Sequence, residues 1–95
     1  MSEKTPHKPL VWYGLAMEYR ARGQREDAAR AFERCVEADP TYVPAYFMWG
    51  MTLEDAGQRD RAVAMLRRGI TVAGTKGDTH AAGEMQGTLE TWGVE

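Results

Sequence analysis

The stretch Ala21-Arg-Gly-Gln-Arg-Glu-Asp-Ala28 returns 34 residues later as Asp55-Ala-Gly-Gln-Arg-Asp-Arg-Ala62. Working outward from that echo, Met17 recurs at Met51 and Arg34 at Arg68. Trp12/Tyr46, Tyr13/Phe47, Tyr19/Leu53, Phe32/Leu66 and Val36/Ile70 keep their aromatic or apolar chemistry, and Ala16/Gly50 stays small. A fixed period of this size marks stacked structural units, none of which buries its apolar face alone.

Each unit reads as two helices. In the first, Trp12, Leu15, Ala16 and Tyr19 stand at i, i+3, i+4 and i+7, which places them on one helical face. Tyr46, Trp49, Gly50 and Leu53 repeat that stripe. Gly23 and Gly57 follow these A helices, where a left-handed residue ends a helix at little cost. The B helices then carry Ala28, Phe32, Cys35 and Val36, and Ala62, Leu66, Gly69 and Ile70. Pro40 stops the first B helix, and Pro44 is tolerated in the first turn of the next A helix. The corresponding stop in the second unit is expected at Gly74, with Gly77 just beyond.

This pattern resembles the tetratricopeptide repeat. That unit carries Trp, Leu, Gly and Tyr on helix A, then Ala, Phe, Ala and Pro. Here the first unit supplies Trp12, Leu15, Ala16, Tyr19, Ala28, Phe32, Cys35 and Pro40. The second supplies Tyr46, Trp49, Gly50, Leu53, Ala62, Leu66, Gly69 and Gly74. The departures exchange small residues for one another, except Gly74 in place of Pro. The resemblance implies an all-α, five-helix array of antiparallel helix hairpins. Its parts are a disordered tail over residues 1–8, repeats over 9–42 and 43–76, and a capping helix over 77–95. The cap follows from a stripe of Ala81, Met85, Leu89 and Trp92, begun at Asp78 or Thr79. The family register would turn His80, Gly83, Glu84 and Gly87, poor core formers, toward a B helix. Gly83 and Gly87 weaken the cap by roughly 1 kcal/mol each relative to Ala.

Charge and composition exclude several functions. Twelve Lys and Arg against fourteen Asp and Glu give a net charge of −2 and a pI near 5.7. Generic nucleic-acid binding instead needs many phosphates neutralised. Four of the acids and no base lie in residues 77–95, so residues 1–76 carry +2. Of the bases nine are Arg. Arg30, Arg34, Arg67 and Arg68 sit on B helices among acids and read as a solvated, ion-paired face. No apolar run approaches the ~18 residues that cross a bilayer, and the polar start lacks a signal-peptide core. A lone cysteine, Cys35, suits a reducing, cytoplasmic setting; on the core stripe it reads as an inert buried thiol. His7 and His80 have no ligand partners at helical spacing, so no metal or other cofactor is expected. With neither a nucleophile elbow nor a phosphate-cradling loop, the chain is expected not to be an enzyme.

The feature beyond core packing is a second A-helix stripe. Leu10, Tyr13, Met17 and Arg20 are repeated by Pro44, Phe47, Met51 and Glu54. At 100° per residue this stripe lies about 130° from the core stripe. The resemblance makes it the concave groove, where this family binds peptides. The Lys/Asn/Arg clamp for a C-terminal carboxylate is absent, because Tyr13 and Met17 hold those positions. The expected partner is therefore an apolar or amphipathic protein segment. A homodimer assembled through the same stripe is the alternative.

Overall fold

The computed structural model describes residues 8–94; apart from Lys8, the expected tail lies outside them. Five α-helices fill this span: α1 (Pro9–Ala21), α2 (Arg25–Ala38), α3 (Val43–Asp55), α4 (Arg59–Lys76) and α5 (Thr79–Thr91). No strand occurs among the described residues. Helices α1 and α2 pack as one hairpin and α3 and α4 as a second. Helix α2 joins them through α3, and α5 closes on α4.

The turns follow from the repeated glycines. Gly23 and Gly57 adopt φ of 76° and 78°, a region that penalises a side chain. At the first turn, Gln24 N donates to Tyr19 O (2.9 Å) and Gly23 N to Arg20 O (3.0 Å). Gln58 and Gly57 repeat both bonds to Leu53 and Glu54, the paired closure that satisfies a helix's last carbonyls. Pro9 and Pro44 lie in the first turns of α1 and α3, where a missing N–H costs nothing.

Gly74 does not stop the second B helix. Helix α4 runs on to Lys76, and Gly77 turns it at φ 77°. A glycine weakens a helix interior, but unlike proline it leaves the hydrogen-bond ladder intact. Asp78 N closes that end on Ala73 O (2.8 Å). Asp78 then caps α5, its carboxylate accepting from Ala81 N (3.1 Å).

Two cores form. The first joins Ala16 of α1, Ala28, Phe32 and Cys35 of α2, and Tyr46, Trp49 and Leu53 of α3. The second joins Val43, Leu66 and Ala73 to Met85 and Leu89 of α5. Small residues set the approach of the helices. A Cβ on Gly50 would come within 2.7 Å of Leu66 Cδ2. One on Gly69 would meet Met85 Sδ at 2.6 Å and Tyr46 Cβ at 2.8 Å. Met85 thus fills the space that Gly69 leaves. His80, Gly83, Glu84 and Gly87 are exposed while Met85 and Leu89 are buried. Helix α5 is therefore turned away from the register of a third A helix, with its apolar side down.

Leu15 departs from its place on the core stripe. It is 39% exposed, whereas its counterpart Trp49 is 7% exposed. Trp49 packs into the core shared with α2, but among the described residues no helix precedes α1 to cover Leu15.

Candidate protein-interaction face

The second stripe of the A helices runs from the start of α1 to its last turn and is repeated along α3. Leu10 is 65% exposed. Tyr13 is half-buried, its ring edge-on to Phe32 (centroids 6.0 Å apart) and tilted against Tyr42 (5.5 Å). Burial, then the neighbouring Tyr42 and Cys35, raise the Tyr13 phenol above its ordinary pKa, so it is a neutral hydroxyl at physiological pH. Met17 is half-buried against the first core, Phe47 against the second, and Met51 is half-buried. Pro44 is exposed. Phe47 thus shares its cluster with Met85 and Leu89 of α5, so the cap supports the stripe's far end.

The charged members of the stripe have internal partners. Arg20 Nη1 lies 2.6 Å from Asp55 Oδ2, tying the end of α1 to the end of α3. Glu54 accepts from Arg59 Nε and Nη2, both at 2.6 Å. That pairing holds the Glu54 carboxyl below its ordinary pKa. Arg59 in turn donates to Trp92 O (3.1 Å) and lies 4.9 Å from the centre of the Trp92 ring. Glu54, Arg59 and Trp92 therefore fasten the end of α5 to the α3–α4 turn.

Tetratricopeptide repeat models match residues 9–51 and 44–68. A TPR repeat-containing protein of Pseudomonas aeruginosa is 34% identical over 85 residues, spanning 90% of this chain and 81% of that one. The chain belongs to the tetratricopeptide repeat family. A tetratricopeptide repeat domain protein from Salinibacter ruber, solved by NMR, superposes with a TM-score of 0.85 at 32% identity. The match covers 97% of this chain and 94% of that one. A crystal structure of a Salinibacter ruber tetratricopeptide repeat domain protein gives 0.80 at 32% identity, covering 93% and 99%. The fold generally mediates protein–protein interactions.

Two B-helix arginines, solvent-exposed as expected, also contact aromatic rings. Arg34 lies over the Trp12 ring at 5.5 Å and Arg68 over the Tyr46 ring at 5.2 Å. One cation–π contact thus joins helix B to helix A at the same place in both repeats. The signal was present: Arg34/Arg68 is an identity at the repeat spacing, and Trp12/Tyr46 is an aromatic pair at that spacing. Arg30 pairs instead with Asp27, one turn earlier on its own helix.

Cys35 is fully buried, with its Sγ 3.3 Å from Pro9 O. Burial, then Asp39, push its thiol up to about 11. A thiol so protonated and enclosed is a packing group. No group of three or more metal-ligating side chains occurs among the described residues. Among them, no helix is long and apolar enough to cross a membrane.

Proposed function

We propose that this tetratricopeptide domain is a non-catalytic binding module that takes an apolar or amphipathic segment of a partner protein on its A-helix stripe. One observation carries the reading: Tyr13, Met17 and Met51 keep half-exposed apolar surface on a face whose charges, Arg20 and Glu54, are already paired. Tyr13 is wedged between Phe32 and Tyr42, so little side-chain freedom remains to be lost on binding. Aromatic anchors of that kind dominate interface energetics. Met17 and Met51 adapt to varied side chains. Phe47 extends the patch toward the cap and Leu10 toward the first turn of α1. Arg20 and Glu54 form the rim and select among partners by charge more than they add affinity. The domain divides into repeats over 9–42 and 43–76 and a cap over 77–95, with binding placed on the two repeats.

The test compares two double variants in binding to an amphipathic helical peptide selected against the wild-type domain. Met17→Glu with Met51→Glu should weaken binding by at least about 2 kcal/mol while the far-UV spectrum is kept. Arg67→Ala with Arg68→Ala should bind as the wild type does. The opposite pattern would move binding to the B-helix side and overturn the reading.

A further inference from the structure

The cleft between the two repeats shares no residue with the A-helix stripe, and it holds a donor that the protein does not use. Glu26, Arg30 and Glu33 of α2 stand on one wall and Gln58 and Arg61, at the start of α4, on the other. Trp49 of α3 lies between them, and the cleft has a volume of about 330 Å³. Trp49 is the one buried residue of the lining, so its indole forms the floor. Its Nε1 is the one buried side-chain nitrogen or oxygen without a hydrogen-bond partner among the described residues. A buried indole N–H ordinarily finds an acceptor, because sealing it from water unpaired forfeits its hydration. The counterpart of Trp49 at the repeat spacing is Leu15. A leucine would fill the floor with no polar atom left to satisfy.

The charges around this floor narrow what fits. Arg30 is already compensated by Asp27. Arg61 is not: its Nη1 donates to the neutral Gln58 amide (2.6 Å), which leaves its charge and the rest of its guanidinium fork open. Helix α4 begins at the same wall with no side chain capping its first turn, so its positive end also favours an anion there. On the α2 wall, Glu26 and Glu33 enter no ion pair among the described residues. A donor and an open cation thus face two open carboxylates. The acids oppose a plain anion, and Arg61 opposes a plain cation. A small molecule that carries a carboxylate and an ammonium together matches both walls.

We propose that the inter-repeat cleft is a binding site for an amino-acid zwitterion. Its carboxylate accepts from Trp49 Nε1 and from Arg61, and its ammonium donates to Glu33 and Glu26. The walls are long, exposed side chains, which part to let the carboxylate reach the enclosed nitrogen. Ordering them costs affinity, so binding falls in the millimolar range. The site is separate from partner binding on the stripe and stands whether or not that reading holds.

The chain has three tryptophans, so a proton–nitrogen correlation spectrum of the labelled full chain resolves the indole N–H of each. Loss of one resonance in Trp49→Phe assigns it. Titration with glycine to about 100 mM, at fixed pH and ionic strength, should move the Trp49 resonance along a saturating curve of millimolar Kd. The Trp12 and Trp92 resonances should stay in place. Acetate and methylammonium, each half of the zwitterion, should bind at least about tenfold more weakly, since each forgoes charge-assisted hydrogen bonds. Glu33→Ala and Arg61→Ala, at exposed positions, should melt as the wild type does and each weaken glycine binding about tenfold. A Trp49 resonance unmoved by glycine would overturn the inference. So would a linear drift shared by all three indoles, which marks a solvent effect. Acetate binding as tightly as glycine would make the cleft a plain anion site and overturn it too.

Discussion

Replacing Gly69 by alanine separates helix propensity from packing at the point where α3, α4 and α5 meet. In an open helix the change gains roughly 1 kcal/mol. Here the new methyl would lie 2.6 Å from Met85 Sδ and 2.8 Å from Tyr46 Cβ. Met85 can rotate, but Tyr46 Cβ is fixed to the α3 backbone, so the helices themselves must part. Overpacking of this kind typically costs about 1–3 kcal/mol. A displaced Met85 also forfeits part of the roughly 1.5–3 kcal/mol that a buried side chain of its size contributes. The net expectation is a loss of about 1–3 kcal/mol, or a fall in Tm of order 10 °C for a domain this small. Gly83→Ala on the same α5 is the control: nothing lies within 4 Å of the added Cβ, so Tm should rise by about 4–8 °C. Thermal melts by circular dichroism read both. Gly69→Ala raising Tm as Gly83→Ala does would show that α5 does not dock against Gly69, and the account of the second core would fail.

Ending the chain at Lys76 should leave a molten or aggregating species. It strips Met85 and Leu89 from the second core, about 3–6 kcal/mol of burial in a domain whose whole stability is of order 5–15 kcal/mol; a cooperative melt of the truncated chain would contradict this. Cys35 should resist a thiol reagent at pH 8 in the folded state and react readily in denaturant, because burial holds its pKa near 11. Folding keeps that thiol protonated, so the contribution is full below its ordinary pKa of 9.0 and is lost as pH climbs toward 11. Glu54→Gln should leave Tm nearly unchanged while speeding amide exchange at Val94, since the Glu54–Arg59–Trp92 fastening holds the end of α5. Lowering the pH acts alike. The depressed Glu54 carboxyl keeps the pairing above its ordinary pKa of 4.5, and the pairing is lost as pH falls through the folded value.

The repeat spacing made α1 through α4 legible, because glycine turns, proline starts and aromatic–small alternation all point to one architecture. What it concealed depends on neighbours rather than on local pattern. Leu15 has the sequence context of a core residue, and it is exposed because no helix precedes α1 among the described residues. Gly74 and Gly77 are both credible stops, and the choice fell to the glycine whose left-handed turn lets Asp78 cap α5. The apolar stripe Ala81, Met85, Leu89 and Trp92 marked the inward side of α5 against the family register. The pairing of Met85 with the hollow at Gly69 is a volume match between distant residues that no periodicity reports. In the stripe, Tyr13, Met17, Phe47 and Met51 could be named from spacing, but the internal pairing of Arg20 with Asp55 and Glu54 with Arg59 could not. Long side chains at a helix end choose among several carboxylates by geometry alone.

The central claim, that partner segments bind on the A-helix stripe, is tested most directly by mapping where a ligand sits. The measurement is a proton–nitrogen correlation spectrum of the labelled domain, titrated with the amphipathic peptide selected against it. The account predicts that the largest shift changes cluster on Tyr13, Met17, Phe47 and Met51, with smaller ones at Leu10, Arg20 and Glu54. Changes centred instead on Arg30, Arg67 and Arg68 of the B helices, with the stripe unmoved, would contradict it.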